Sequence, residues 1–121
     1  MDQYFEGLTN IAITVCDEDG NILDMNRHSA DVNSHGHKIV GNNLMDCHPE
    51  PARTKLRGLL EHRQLNAYTI EKTLPDGCKV KKLIYQTPWY KEDGAFGGLT
   101  EYSIEIPFEM PHYIRQPKPQ Q

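Results

Sequence analysis

Val15-Cys16-Asp17-Glu18-Asp19-Gly20-Asn21-Ile22-Leu23-Asp24-Met25-Asn26 is the stretch on which the fold turns. An apolar run ends in an acidic turn, a second apolar run follows, and an asparagine closes it. Asp19-Gly20 suits a tight hairpin because both residues tolerate positive φ. Just upstream, Ile11, Ile13 and Val15 alternate with Ala12, Thr14 and Cys16, which is the period of a strand. Asn26 is a good N-cap for a short helix over 27–33, because its side-chain oxygen can accept from an orphan backbone N–H.

Two further Asp-Gly pairs extend the pattern. Asp76-Gly77 separates an expected strand at Ala67–Leu74 from one at Lys79–Tyr90, and Asp93-Gly94 separates the latter from Gly97–Ile106. The middle is different. Asn33 to Asn43 is loop-rich, and Pro49 and Pro51 fit only the first turn of the helix that follows. Ala52, Leu56, Leu59 and Leu60 then recur at helical spacing as one apolar face. Gly58 costs that helix about 1 kcal/mol relative to Ala, which suggests a close neighbour there. Two strands, a helical middle and three strands imply an α+β domain: a five-stranded antiparallel sheet with short helices on one face. Local pattern leaves the strand order open. Residues 1–9 read as a lead-in, 10–107 as the domain and 108–121 as a Pro-rich extended tail.

The 121 residues fit one domain with a real core. Charged residues make up 25%, and 13 Lys and Arg against 17 Asp and Glu leave a net charge of −4. That balance argues against nucleic-acid binding, which needs a basic footprint. No apolar run reaches the roughly 18–20 residues of a membrane span, and the acidic N-terminus lacks a signal-peptide layout, so a cytoplasmic location is expected. Cys16, Cys47 and Cys78 are too few and too widely spaced for a disulfide framework and read as reduced thiols.

The ordered set of segments resembles a PAS domain. Val15–Asn26 is similar to the family's first hairpin and helix opening. Ile39-Val40-Gly41-Asn42-Asn43-Leu44 is similar to its segment before the central helix, and Gly98–Ile106 to its closing strand. The resemblance implies the strand order 2-1-5-4-3, a pocket between sheet and helices, a sensory role and frequent dimerisation. The 121 residues leave no room for an output module, so a stand-alone sensor or a domain of a larger protein is expected. The light-sensing branch carries Asn-Cys-Arg-Phe-Leu-Gln after the Gly. Here Leu44 occupies the place of that Cys and Cys47 lies three residues later, which argues against a flavin adduct. Haem-binding members use an axial His near the central helix. His48 is the candidate, and a polar helix-entry residue is the competing reading.

Other constellations read as structural. His35-Gly36-His37 lacks a third ligand at a diagnostic spacing. Cys47 and His48 are chain neighbours whose side chains usually diverge, so no nucleophile–base pair is expected. Glu101 and Glu105 lie about 13 Å apart along one strand, and the sheet's solvated face accounts for them. Lys72, Lys79, Lys81 and Lys82 read as cross-strand charges and edge protection.

The pocket is the main expectation. Candidate pocket residues are Asn43, His48, Leu56, Tyr68, Tyr85, Thr87 and Tyr102, on the premise that the tyrosine-bearing strand faces point inward. Leu23 and Met25 share one face by alternation, Ile22 and Asp24 the other, so the sheet is apolar on both sides and needs a second cover. Tyr4-Phe5, Trp89 or a second copy of the chain could supply it, and a homodimer through that face is expected. The leading function is a non-catalytic sensory module that binds a small ligand or partner and relays a conformational change. The alternatives are a dimerisation module with a filled core and a haem-based gas or redox sensor.

Overall fold

The computed structural model describes residues 1–119. Five strands, β1 (Ile11–Asp17), β2 (Ile22–Met25), β3 (Asn66–Thr73), β4 (Lys79–Tyr90) and β5 (Phe96–Ile106), form one antiparallel sheet of order β2-β1-β5-β4-β3. Four short helices accompany it: α1 (Gln3–Glu6), α2 (Arg27–Asn33), α3 (Leu44–Cys47) and α4 (Ala52–His62). Helices α2 to α4 lie over one face, and none is long and apolar enough to cross a membrane. Residues 107–119 form neither helix nor strand, and the last two positions of the expected tail, 120 and 121, lie outside the described residues.

All three Asp-Gly pairs close hairpins, but through three-residue loops rather than two. Asp17 pairs with Asn21, Leu74 with Cys78 and Lys91 with Ala95. In each loop only the glycine has positive φ, at 86° to 88°. A type I turn followed by a left-handed residue matches the strand twist with a single glycine, so the aspartate keeps ordinary geometry. Its carboxylate is then free to act as an acceptor: Asp76 takes the Cys78 N–H and Asp93 the Ala95 N–H, both at 2.9 Å. In the first hairpin that acceptor is Asp17, which takes the Asp19 and Asn21 N–H groups at 2.9 Å and the Asn21 side chain at 3.1 Å.

Asn26 is the junction of the domain. It is fully buried, and its backbone and side-chain amides together pair with Ile13. The Asn26 N–H donates to Ile13 O at 3.0 Å, and the Ile13 N–H donates to Asn26 Oδ1 at 2.9 Å. The same Oδ1 caps α2 by accepting from Ser29 N–H at 3.0 Å. Nδ2 donates to Ile11 O and to Phe5 O, both at 2.9 Å. One side chain therefore ties β1, α1 and α2 together with its full hydrogen-bonding capacity.

Strand register shifts twice, between Trp89 and Tyr90 where β4 meets β5, and where β1 meets β2. Thr14 faces Met25, Val15 faces Asp24 and Cys16 faces Ile22, with an irregularity between Val15 and Cys16 that leaves Leu23 as an extra residue. The bulge puts Ile22 and Met25 on the same, helix-covered side, at 2% and 1% exposure, and turns Leu23 out. This corrects the pairing of Leu23 with Met25 that strict alternation implies. The main core joins Cys16, Phe96 and Leu99 of the sheet to Leu56, Leu59 and Leu60 of α4. Ala52 stays exposed, because α4 begins there, and Pro49 and Pro51 precede the helix rather than occupying its first turn. Gly58 has no close neighbour, and nothing in the structure explains it. On the opposite face the Trp89 ring lies across Gly97, where a Cβ would approach it to 2.3 Å, and its Nε1 donates to Cys16 O at 3.0 Å.

Asn26→Ala strands the buried Ile13 and Ser29 N–H groups and removes the donor of two part-buried carbonyls. It is expected to cost about 3 kcal/mol, read as a lower urea midpoint. Burial alone would raise the Asp17 carboxyl. The Asn21 side chain and the backbone N–H groups of Asn21, Asp19 and Gly20 outweigh it and hold Asp17 below its ordinary 3.8. Its contribution is present above the unfolded value and lost as pH falls through the lower folded one. The stability gap between wild type and Asp17→Asn is therefore expected to shrink on acidification below about pH 4, measured by urea denaturation at each pH.

Candidate functional site

On β1 the small side chains Ala12, Thr14 and Cys16 face the helices, and the bulkier Ile13 and Val15 face away. Small residues beneath short helices leave space. Two adjoining cavities result, and both have His48 and Glu101 in their walls. The outer one, about 330 Å³, lies between α4 and β3–β5 and is lined by Leu56, Leu59, Asn66, Tyr68 and Gln86, with Lys55 on its helical side. The inner one, about 240 Å³, lies against β1, β2 and α3 and is lined by Thr14, Ile22, Met25, Ile39 and Leu44.

A row of amides crosses the outer floor. Asn66 Nδ2 donates to Gln86 Oε1 at 2.8 Å, and Gln86 Nε2 donates to Glu101 Oε2 at 3.2 Å. Each donor polarises the next, and the row ends on the half-buried Glu101 carboxylate at the boundary of the two cavities. Burial, and then the Glu101 charge, push the Tyr68 phenol above its usual range. At the other boundary His48 Nδ1 lies 2.7 Å from Leu44 O. A carbonyl only accepts, so Nδ1 carries the hydrogen in this contact. Behind the inner cavity Thr14 Oγ1 and Ser29 Oγ share a hydrogen bond at 2.5 Å, and Asn33 Nδ2 donates to Ser29 at 3.2 Å.

Of the sequence-expected residues, His48, Leu56 and Tyr68 line the cleft. Asn43 does not. It caps α3, accepting from Met45 N–H at 2.8 Å and donating to Asp19 O and Asn21 Oδ1 at 2.9 Å, so its amide is spent on holding the β1–β2 turn. Tyr85, Thr87 and Tyr102 stand on the far face of the sheet. Tyr85 is opposite Tyr102, Tyr102 opposite Ile13, and Thr87 opposite Thr100. The inward-tyrosine premise holds for Tyr68 alone, because Tyr68 is opposite Ile84 and so has the opposite parity. Antiparallel register then carries Glu101, the neighbour of Tyr102, into the cleft instead of onto a solvated face.

Glu101 and Gln86 escape sequence reading because both faces of β4 and β5 carry apolar residues. The available signal is size: Ala12, Thr14 and Cys16 make one side of β1 the one with small side chains. Haem does not fit the residues present. Gln86 and Glu101, rather than apolar side chains, floor the cleft beside His48, and a carboxylate there opposes the macrocycle's own propionates.

A family model described as a PAS domain matches residues 3–107. Among solved structures, the chain is similar to the PAS domain of a protein from Colwellia psychrerythraea at 20% identity, with 86% of this chain and 92% of that one covered and a TM-score of 0.58. It is similar to the PAS domain of BvgS from Bordetella pertussis at 18% identity, covering 86% and 82%, with a TM-score of 0.61. A third similar structure is described as VqmA bound to DPO, at 15% identity, covering 87% of this chain and 55% of that one, with a TM-score of 0.63. A search of curated proteins gave no match. The sheet order and the family match agree, and the chain belongs to the PAS domain family.

Proposed function

We propose that this chain is a non-catalytic sensory domain that holds a small molecule between the sheet and α3–α4 and relays its presence. The observation that supports the reading is the pair of cavities meeting at His48 and Glu101, where apolar side chains such as Leu56, Leu59, Ile22 and Met25 meet convergent polar groups. PAS domains are typically sensory modules, and VqmA is an example of a similar fold described as bound to a ligand, DPO. A filled-core dimerisation module would not need this space.

The relay runs through the inner cavity wall. Ile22 faces the ligand space, and its backbone is clasped by the cover: Ile22 N–H donates to Asn42 O at 2.8 Å, and Gly41 N–H donates to Ile22 O at 2.9 Å. Leu44 N–H donates to Gly20 O at 2.8 Å, and Asn43 ties the same cover to the β1–β2 turn. A ligand that favours one placement of residues 39–47 therefore biases the edge strand β2.

A second reading concerns the far face. Ile13, Val15, Thr100 and Tyr102 surround a shallow hollow of about 300 Å³ that Phe5 of α1 borders, and Tyr85 remains 36% exposed beside it. This apolar surface suits a symmetric contact with a second copy of the chain.

A cognate molecule, found by thermal-shift screening, is expected to stabilise the domain by about 2.7 kcal/mol at a hundred times its dissociation constant. Its amide chemical-shift changes are expected to centre on residues 39–48. Changes confined to the far face would reject the cleft. For the second reading, analytical ultracentrifugation at tens of micromolar is expected to show a dimer that Tyr102→Glu converts to monomer. A monomeric wild type would remove it.

A further inference from the structure

The inner cavity has an uneven chemistry that narrows what it takes. Ile22, Met25, Ile39 and Leu44 give it apolar walls, Thr14, Asn33 and Cys47 border it with them, and Glu101 and His48 complete its lining. Glu101 receives one hydrogen bond, from Gln86 to Oε2. Among the described residues no Lys, Arg or His pairs with it; the ion pairs all lie elsewhere, and Lys55 borders the outer cavity. His48 borders the same space with its Nδ1 hydrogen committed to Leu44 O.

Of the residues bordering this space Glu101 is the one carboxylate, and its Oε1 has no partner among the described residues, while Asn33 spends an Nδ2 hydrogen on Ser29. A half-buried carboxylate without a cation is costly unless something supplies the missing hydrogens. A carboxylate or phosphate ligand would meet like charge there. A metal ion is not served either: Cys47, His48 and Glu101 border the same space, yet no three His, Cys, Asp or Glu side chains among the described residues are placed to hold one. The 240 Å³ equals about eight water volumes at roughly 30 Å³ each, the space of a small organic molecule.

We infer that the inner cavity binds a small protonated amine with an apolar body, its ammonium hydrogen-bonded to Glu101 and its body against Ile22, Met25, Ile39 and Leu44. This rests on the cleft being a ligand site. The ammonium donates to the free Glu101 oxygen, and a charge-assisted bond to a half-buried carboxylate is the strong kind. Discrimination against a neutral isostere then follows, because an alcohol brings one hydrogen and no charge to the same carboxylate.

Calorimetric titration of the full 121-residue chain with 2-phenylethylamine, 2-phenylethanol and phenylacetate tests this. The amine is expected to bind about tenfold or more tightly than the alcohol, and phenylacetate more weakly still. Glu101→Gln, which can keep the Gln86 contact, is expected to bring the amine to the level of the alcohol. Should that variant fold poorly, Ile39→Trp fills the cavity with Glu101 intact and is expected to abolish amine binding. Equal or tighter binding of the alcohol or the acid overturns the amine class and leaves the cleft as a ligand site. Amine binding that survives Glu101→Gln overturns the role of Glu101. Binding of none of the three overturns the inference, while the cleft itself is judged by where ligands from the wider screen shift the spectrum.

Discussion

The fold hangs on the reciprocal pairing of Asn26 with Ile13. A side-chain amide has the same donor and acceptor as a peptide group, so Asn26 can extend the β1 ladder and cap α2 with one oxygen. Its nitrogen then draws in the carbonyls of Ile11 and Phe5. Because Asn26 and the Ile13 and Ser29 N–H bonds to it are buried, those groups cannot turn to water for a partner, and the geometry is held tightly. That pairing seats α2 on one side of β1, with Ser29 over Thr14. The side of β1 under the helices is then the one with small side chains, and the cavities follow from that choice.

The placement of Glu101 follows from the same register. It is the cross-strand partner of Thr14 on β1 and of Gln86 on β4. With Thr14 turned toward α2, Glu101 must point into the cleft. A carboxylate there is an exception to apolar packing, partly relieved by the Asn66–Gln86 row. Local departures of this kind, a polar group kept where a hydrophobe would pack, are where function is expected to concentrate. The far face has the opposite character. Trp89 over Gly97 closes one end, Phe5 borders another, and the tyrosines between them are left partly open.

Several features were legible before any coordinates. Asp-Gly at three places announced three hairpins, and Asn26 announced a cap, because these residues act through their own backbones and immediate neighbours. The Leu56, Leu59 and Leu60 stripe announced the buried face of α4 for the same local reason. The bulge at Val15–Cys16 was not legible, since Leu23 looks like an ordinary strand residue until Ile22 and Met25 are both needed in the core. Asn43 looked like a pocket residue and proved to be a cap, a difference that depends on Asp19 and Asn21 arriving beside it.

Read alone, the chain determined its elements, its turns and, through the resemblance, its strand order. Those depend on short-range chemistry: φ preferences, caps and alternation. Only the tertiary structure decided which face of the sheet is covered. Parity relates the residues of one strand to each other without saying which set is inside, and here both sets are apolar. Long-range hydrogen bonds between Asn26 and Ile13, and between Thr14 and Ser29, made that choice. With it they sent Tyr85, Thr87 and Tyr102 outward and brought Glu101 in.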